Sequence, residues 1–338
     1  MTTRHDVAKR AGVSPSTVSR VINESGYVAQ EVRLKVEKAI EELHYVPNRI
    51  ARSLRLNESM QIACITHNIT NPFYSEIVVG LESELFQQGY TLSLYTSNFS
   101  DRDYQRTIAE RMFDGVVVLS PVELSKMIEI EQIQNRVPIA VYWDFSSTLA
   151  VPGVTVDLCQ AMQNATEYLI DAGHERIIFL GHETLKEEEN PRFLGYLKAH
   201  RARKLPIRDE HILTLASWAD SPTFGYQKMM DTLQQPVTFT AVVAANDLLA
   251  FGAMRALHEK GYRIPEDVSV IGFDDVDLAQ LTIPSLTTVH LPTKQIGEEL
   301  ARMIVAKITG KKIPASVVLS SSLVIRETVA PVAKKVNV

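Results

Sequence analysis

From residue 59 to about residue 331, the apolar positions of the chain alternate between two spacings. Short apolar runs typical of buried strands, including "MQIACIT", "GVVVLS" and "RIIFLG", are separated by longer stretches with helical periodicity, such as "YSEIVVGLESELFQQGY". Strand and helix patterns that alternate with short connections predict parallel sheets covered by helices on both faces. A second series of the same kind begins after "GVTVD". We therefore predict an α/β core of two doubly wound parallel-sheet lobes, whose strand ends face each other across a cleft.

The first 58 residues have a different pattern, with short amphipathic helices and no strand. "HDVAKRAGVSPSTVSRVIN" gives two helical patterns around a turn, and Gly12 is placed to end the first helix through a left-handed backbone. Ser14 is predicted to cap the second helix, with Pro15 at its first position. A third amphipathic helix follows, with apolar positions at Val32, Val36, Ala39, Ile40 and Leu43. An all-α head is predicted.

The second helix of this head separates apolar from polar side chains. At about 100° per residue, one arc holds Val18, Val21 and Ile22, and the opposite arc holds Ser16, Thr17 and Arg20. An arginine can make a bidentate contact with guanine, and hydroxyl groups can reach base edges or phosphates. The pattern favours a recognition helix in the major groove. The alternative is a small helical subdomain whose polar face has no partner.

The charge distribution supports an anionic partner at one end of the chain. The 338 residues carry a net charge of −5, with 45% apolar and 22% charged residues, which is ordinary for a globular protein of two or three domains. Residues 1–58 hold ten Lys and Arg against seven Asp and Glu, so the head is +3 and the remainder is −8. A basic head on an acidic body fits nucleic acid, although a chance excess on a solvated surface would look the same.

Several classes of protein are disfavoured by the sequence. No apolar run approaches the roughly 18 residues of a membrane-spanning helix, and the polar start "MTTRHDVAKR" lacks the apolar core of a signal peptide. Cys64 and Cys159 lie in apolar surroundings, which indicates buried free thiols in a reducing compartment. We therefore expect a cytoplasmic protein without a transmembrane segment.

The sequence carries no recognisable catalytic constellation. It has no glycine-rich dinucleotide loop after a strand, no phosphate-binding P-loop and no H-E-x-x-H, and Ser120-Pro121 is not a nucleophile elbow. Asp274 and Asp275 could be read as an acid/base pair, but adjacent residues on a strand point to opposite faces. We predict that the chain is not an enzyme, with no catalytic residue, no metal and no cofactor.

Several long motifs resemble the lactose-repressor/galactose-repressor family of bacterial transcription regulators. They are "DVAKRAGVSPSTVSRVIN", "ELHYVPNRIARSL", "NITNPFYSEIVVGLESELFQQGY" and "AANDLLAFGAMRALHEKGYRIPEDVSVIGFDD". The resemblance covers nearly the whole chain. It implies an all-α helix-turn-helix head joined by a hinge helix to a periplasmic-binding-protein-like core. The sequence departs from the family pattern at the start of the third helix, where Ala29-Gln30-Glu31 replaces the usual hydroxyl cap.

The resemblance also implies the domain limits. Residues 1–46 form the DNA-binding domain, 47–58 the hinge helix or linker, and 59–338 the effector-binding and dimerisation domain. Within the last, lobe 1 comprises about 60–159 and 290–319, and lobe 2 about 160–289 and 320–331.

By resemblance, DNA contacts are assigned to both the head and the hinge. Those of the head are Thr3, Ser14, Pro15, Ser16, Thr17, Arg20 and Asn23, and those of the hinge are Asn48, Arg49, Ala51, Ser53 and Leu54. A helix from Asn48 would be about eight residues long, below the length that holds alone in water. In relatives the hinge becomes helical on operator DNA and wedges a leucine, here Leu54, into the minor groove. The alternative is a merely basic linker.

Effector contacts implied by the resemblance combine carboxylates, amide or guanidinium donors and aromatic rings. They are Phe73, Tyr74, Asp144, Arg192, Trp218, Asn246 and Asp274. Such a set suits a carbohydrate, because carboxylates accept from sugar hydroxyls and aromatic rings stack on apolar sugar faces. One further position, polar in sugar-sensing relatives, is Leu291 here.

Each of these assignments has a plainer alternative. Trp218 could be part of the core, Asn246 and Asp247 could cap the following helix, and Asp144 and Arg192 could pair only with each other.

The function implied is that of a sequence-specific DNA-binding regulator, a repressor in most relatives. Its partners are double-stranded operator DNA, a small-molecule effector that is a sugar or sugar derivative, and a second copy of the chain, since the family dimerises through segments 73–88 and 276–283. Effector and DNA would be linked by a coupling free energy of about 1–3 kcal/mol. Alternatives left open are a two-lobed sugar receptor, a sugar-active enzyme, and control by a protein corepressor at a basic cluster of Arg302, Lys307, Lys311 and Lys312.

Overall fold

A computed structural model describes most of the chain. The described residues are 2–22, 25–45, 58–66, 68–96, 113–119, 137–143, 151–182, 190–215 and 221–332. The chain divides into two compact units, Met1–Ser59 and Met60–Val338.

Within residues 2–22 and 25–45, the first unit forms three helices around a small apolar core. They are α1 (Arg4–Ala11), α2 (Pro15–Ile22) and α3 (Gln30–Glu42). Gly12 ends α1 with φ +67° and donates its N–H to the Ala8 carbonyl, as the sequence predicts. The start of α3 at Ala29 has no side-chain cap, in line with the departure from the family pattern. The core consists of Val7, Ala8, Val18, Val21, Val36 and Ala39.

The described residues of the second unit form two six-stranded sheets. The strands of the first are β1 (Gln61–Thr66), β2 (Thr91–Thr96), β3 (Gly115–Leu119), β4 (Ile139–Trp143), β5 (Gly153–Val156) and β11 (Ser316–Leu319). Their order across the sheet is β11-β5-β4-β3-β1-β2. The strands of the second are β6 (Ile177–His182), β7 (Ile212–Leu215), β8 (Ala241–Ala244), β9 (Ser269–Asp274), β10 (Thr287–His290) and β12 (Ser322–Val324). Their order is β12-β10-β9-β8-β6-β7.

Strand pairing within both sheets is parallel except at one edge, where β12 runs antiparallel to β10. The helices found in the described part of this unit are α4 (Pro72–Gln87), α5 (Leu158–Asp171), α6 (Pro191–Ala202), α7 (Pro222–Thr232), α8 (Asp247–Glu259) and α9 (Thr293–Ile308). The predicted fold class, an all-α head and an α/β core of two doubly wound lobes, is confirmed.

The chain crosses between the two sheets three times. It passes from β5 to α5, which packs on the second sheet, and from β10 to α9, which packs on the first. The third crossing is the short link between β11 and β12. Any change in the relative orientation of the lobes must therefore be accommodated at these three connections.

Neighbouring helices approach closely at glycines. A Cβ atom on Gly80 of α4 would lie 2.3 Å from the Lys294 carbonyl oxygen of α9, and one on Gly252 of α8 would lie 2.0 Å from that of Pro222 in α7. Each helix pair thus packs backbone to backbone. This close packing fixes the positions of α4, which begins with the predicted site residues Phe73 and Tyr74, and of α8, which follows Asn246.

Both cysteines are free thiols, but their surroundings differ. Cys64 is fully buried in β1, and burial raises the pKa of its thiol to about 12. Cys159 is only half-buried, so the prediction of burial is wrong for this residue. Among the described residues, no helix combines the length and apolar character that a membrane crossing requires.

Candidate DNA-binding face and effector site

The exposed side of α2 carries hydroxyl groups at its N-terminal end and a guanidinium group one turn later. Ser14 caps the helix, as predicted, by accepting a hydrogen bond from the Thr17 backbone N–H at 3.1 Å. Its Oγ also lies 2.7 Å from Ser16 Oγ and 2.9 Å from Thr17 Oγ1. Ser16 and Arg20 are exposed and Thr17 is half-buried, while the valines of the opposite arc lie in the core. This is the polar arc that the periodicity predicts.

Thr3, another predicted DNA contact, has a structural role in the described unit. Its Oγ1 accepts from the Asp6 backbone N–H at 3.4 Å, and the Asp6 carboxylate accepts from the Thr3 backbone N–H at 2.8 Å. These reciprocal bonds form a capping box at the start of α1, and the Thr3 hydrogen bonds lower the pKa of Asp6. Pro15 is the first residue of α2. Asn23 and the hinge positions Asn48, Arg49, Ala51, Ser53 and Leu54 lie outside the described residues.

In the second unit, three aromatic rings meet near the carboxyl edge of the first sheet. Phe73 and Tyr74 begin α4, with ring centroids 5.0 Å apart in an edge-to-face arrangement, and Phe73 lies 5.8 Å from Tyr142 of β4. Asn71 caps the helix by accepting the Phe73 N–H at 3.1 Å. Phe73 and Tyr74 are buried, so most of each ring packs in the lobe core and only a small part can touch a ligand in this conformation.

In the second lobe, Arg192 and Asp274 come together. An Arg192 Nη2 lies 3.6 Å from Asp274 Oδ1, and the guanidinium carbon lies 4.7 Å from the centroid of the Phe273 ring. The separation is that of an ion pair rather than of a close hydrogen bond. Both side chains are largely buried. The alternative that Arg192 pairs only with Asp144 is therefore wrong, because Asp274 is a partner of Arg192. Asp144 and Trp218 lie outside the described residues.

The position of Arg192 is fixed by the cap of its helix. Asn190 accepts the Phe193 N–H at 3.1 Å and donates its side-chain amide to the carbonyl oxygen of His182, the last residue of β6, at 3.1 Å. One side chain thus joins the start of α6 to the carboxyl end of an interior strand of the second sheet. This places the guanidinium beside the end of the sheet, where ligands of doubly wound folds bind.

Asn246 and Asp247 follow β8 and differ in role. Asn246 caps α8 by accepting the Leu249 N–H at 2.8 Å, as one of the two interpretations predicts, and it is buried. Asp247 makes contacts far along the chain instead. Its carboxylate accepts from the Val276 N–H at 2.9 Å and from the Thr288 hydroxyl at 2.5 Å.

After β9 the backbone turns sharply at Asp274 and Asp275. Their φ angles are +108° and +60°, in the region that residues other than glycine rarely adopt. Asp275 accepts from Arg326 Nη2 at 2.6 Å and lies 3.0 Å from His290 Nδ1. The two carboxylates therefore have separate partners and do not form an acid/base pair. The sequence predicts this separation, but its cause is the turn rather than the alternation of a strand.

Some residues at the site are missed by the sequence reasoning. Phe273 contacts the same guanidinium as Asp274, which strand alternation would not allow without the left-handed turn. Asn190 could have been found, because an asparagine directly before a proline and a helical pattern is a start signal. Leu291 is fully buried, and its backbone N–H lies 3.4 Å from the Asp274 carbonyl oxygen.

Comparison with known protein families gives two matches. Residues 3–48 match the family described as bacterial regulatory proteins, lacI family. Residues 166–329 match the periplasmic binding protein-like domain. The two matches fall in the head and in the two-sheet unit, respectively.

Individual relatives agree with these matches. The chain is 35% identical, over 342 residues, to the HTH-type transcriptional repressor PurR of Vibrio parahaemolyticus, with all of both chains covered. It is similar to the structure of the transcriptional regulator CelR–cellobiose complex, with 30% identity, a TM-score of 0.71, and coverage of 97% of this chain and 100% of the other. It is also similar to the lac repressor dimer bound to operator and the anti-inducer ONPF, with 27% identity, a TM-score of 0.83, and coverage of 97% and 99%.

Proposed function

The chain belongs to the LacI family of bacterial regulatory proteins, and on that premise we propose the class of its effector, its contacts and its assembly. It is a sequence-specific DNA-binding repressor whose operator affinity is controlled by a small molecule. Its relatives are transcriptional repressors, which favours the expectation that it binds its effector without transforming it. A repressor acts where the chromosome is, so we propose that it works in the cytoplasm.

The effector is a sugar or sugar derivative held between the lobes. The observation that carries this proposal is the Arg192–Asp274 pair over the face of Phe273. A donor and an acceptor 3.6 Å apart can serve two neighbouring hydroxyl groups, one accepting from the guanidinium and one donating to the carboxylate. Adjacent donor, acceptor and aromatic face are what a polyhydroxylated ring requires.

The remaining effector contacts complete the site from both lobes. Asn246 stands at the carboxyl end of β8, and Phe73 and Tyr74 follow the carboxyl end of β1 in the other lobe. Asp144 and Trp218 are included by family resemblance. The relative bound to cellobiose supports a carbohydrate.

The operator is read by the head and the hinge. The polar arc of Ser16, Thr17 and Arg20 contacts base edges, and the start of the helix at Ser14 and Pro15 contacts phosphate, where backbone N–H groups favour anions. Thr3 and Asn23 contribute further contacts with the DNA backbone. Residues 47–58 act as a hinge helix on operator, with Asn48, Arg49, Ala51 and Ser53 beside the wedge residue Leu54.

The active form is a homodimer. On α4, Val79 and Phe86 are seven residues apart, so they share a face, and Phe86 is 68% exposed. In the segment after β9, Leu278 and Leu281 are exposed and Ile283 is 97% exposed. Apolar side chains exposed at both segments used by the family favour a two-fold interface there, which places two heads over two half-sites.

Control by a protein corepressor is disfavoured by the surroundings of the basic cluster on α9. Arg302 pairs with Glu298 and Glu299 on its own helix and with Glu84 on α4, at distances of 3.4, 2.7 and 3.1 Å. Three carboxylates thus offset the charge that an acidic partner would need.

The test is operator binding titrated with small molecules. An operator is first selected from randomised duplexes by the purified full-length repressor. Its affinity is then measured against a panel of sugars and sugar phosphates, with nucleobases and amino acids as non-carbohydrate controls. We expect at least one sugar to change operator affinity by about 5- to 150-fold. A response confined to a nucleobase or an amino acid would overturn the carbohydrate proposal.

A further inference from the structure

Asp247 is a completely buried carboxyl group at the first position of α8, outside the set of predicted effector contacts. One oxygen accepts from the Val276 backbone N–H and the other from the hydroxyl of Thr288. The first partner lies 29 residues along the chain and the second lies 41 residues along it. A side chain that joins α8, the turn after β9 and the middle of β10 does more than begin a helix.

The strand beside this carboxyl group is shaped to admit it. A Cβ atom on Gly272 would lie only 2.1 Å from Asp247 Oδ1. The carboxyl group therefore occupies the space that a side chain at position 272 would fill, directly against the backbone of β9. It lies at the base of the turn that begins two residues later.

That turn carries the strained residue of the effector site. Asp274 has φ +108° and Asp275 has φ +60°, and backbone of this kind persists only where the surroundings hold it. Val276, whose N–H is bound by Asp247, is the next residue after this pair. Thr288 belongs to β10, which runs parallel to β9 and leads into the crossing to the first lobe.

We propose that Asp247 is a positioning residue for the effector site: its buried carboxyl group holds the left-handed turn at 274–276 and so directs Asp274 toward Arg192. The inference rests on the proposed function, because Asp274 is an effector contact there. Through Thr288 the same group ties the turn to β10. A shift of the turn is thereby transmitted to the strand that leads into one of the three crossings between the lobes.

The proposed role of Asp247 makes the stability of the turn depend on pH. Burial, reinforced by the negative charge of Asp275, raises the pKa of Asp247 to about 7, against hydrogen bonds that lower it. Asp275 is itself paired with Arg326 and His290. The neutral acid keeps its bond from Val276 and can donate its proton to the Thr288 oxygen. In the closed turn, the carboxyl group is buried and binds a proton. In an open turn, where the same group is hydrated, it releases the proton near the usual pKa of an aspartate, about 4.

Linkage then fixes the direction of the pH dependence. Because the turn held by Asp247 binds the proton more tightly than the released turn, raising the pH from about 4 to about 7 favours release. The equilibrium constant for release rises by about tenfold per pH unit at most. Above about pH 7 the carboxyl group is ionised in both states, and the dependence levels off.

The test is amide hydrogen exchange of the full-length protein over segment 273–281, from pH 5 to pH 8. Rates are divided by the intrinsic chemical rate at each pH. For the wild type, we expect protection of Val276 to fall as pH rises toward 7 and then to level off. Asp247→Asn, which retains an acceptor for Val276 but cannot ionise, should keep the protection and lose its pH dependence. Asp247→Leu, which leaves two buried donors unpaired, should lower the protection by about tenfold.

The matched control is Glu266→Gln, which removes an exposed carboxylate of the same lobe outside the proposed dimer segment and should keep the wild-type profile. Identical profiles for wild type and Asp247→Asn, or unchanged protection in Asp247→Leu, would overturn the inference. The effector site is tested separately by the sugar titration of Asp274→Asn. An unchanged sugar response there counts against the proposed function alone.

Discussion

At the scale of single residues, the described part of the proposed effector site depends on one guanidinium group. Arg192 lies over the face of Phe273 and beside the carboxylate of Asp274, and Asn190 fixes its helix to the end of β6. A cation held in a largely buried position by an ion pair and an aromatic ring is well placed to orient a ligand. Removing it leaves a buried carboxylate without this partner.

We predict that Arg192→Ala abolishes the sugar response of operator binding while leaving basal operator affinity nearly unchanged, because the head is a separate compact unit. Arg203→Ala is the matched control, since Arg203 ends the same helix in an exposed pair with Asp171 and should behave as wild type. The measurement is operator affinity with and without the responsive sugar. A normal response in Arg192→Ala would remove this residue from the site.

Arg20 gives the corresponding prediction for the head. Its exposed position on the polar arc of α2 suits contact with a guanine, so Arg20→Ala should relax specificity at one operator position at a cost of about 1–3 kcal/mol. Selection of binding sites from randomised duplexes measures the base preference. Arg10→Ala, which removes an arginine paired with Glu42, should leave that preference intact. Uniform weakening on every sequence would make Arg20 a phosphate contact instead.

At the scale of elements, close backbone contact between helices limits what the chain tolerates. A Cβ atom on Gly297 of α9 would lie 2.1 Å from the Ile77 carbonyl oxygen of α4. Gly297→Ala should therefore force the two helices apart and lower the free energy of unfolding by about 1–3 kcal/mol. Urea unfolding measures this change, and exposed Gln295→Ala on the same helix is the control, with an expected effect near zero. Equal stability of both variants would show that the helices have room for a methyl group.

The elements themselves are largely predictable because their signals are local. The periods of 3.6 and 2 residues identify the head and the two lobes, and the caps at Ser14 and Asn246 follow from polar residues just before helical patterns. The turn at Asp274 and Asp275 does not follow in this way. It depends on Asp247, on Arg326 and on His290, and nothing in the sequence near the turn indicates those partners.

The residues of the proposed site also divide into those that the sequence predicts and those that depend on distant contacts. The family resemblance implies that Arg192 and Asp274 are effector contacts, and the structure brings them together. Their contact with Phe273 could not be predicted, since a regular strand would place residues 273 and 274 on opposite faces. The strained backbone makes the difference, and strain of this kind depends on packing throughout the lobe.

At the scale of the whole molecule, the proposed dimer predicts the effect of a charge at its interface. Ile283→Glu should convert the dimer to a monomer, because the exposed apolar segment after β9 would bury an unpaired carboxylate. Analytical ultracentrifugation measures the mass, and operator affinity should fall because one head then contacts one half-site. Phe224→Glu on α7, a partly exposed aromatic outside the proposed interface, is the control. A dimeric Ile283→Glu protein would place the interface elsewhere.

Three chain crossings between the lobes, one of them leaving β10 beside the Asp274 turn, give effector binding a physical route to the rest of the molecule. Because linkage is reciprocal, a sugar that changes operator affinity must have its own affinity changed by operator to the same extent. The most direct test measures sugar affinity by calorimetry for the free repressor and for the repressor saturated with operator duplex. We predict the same factor in both directions, about 5- to 150-fold. Equal sugar affinity with and without operator would contradict the proposed coupling.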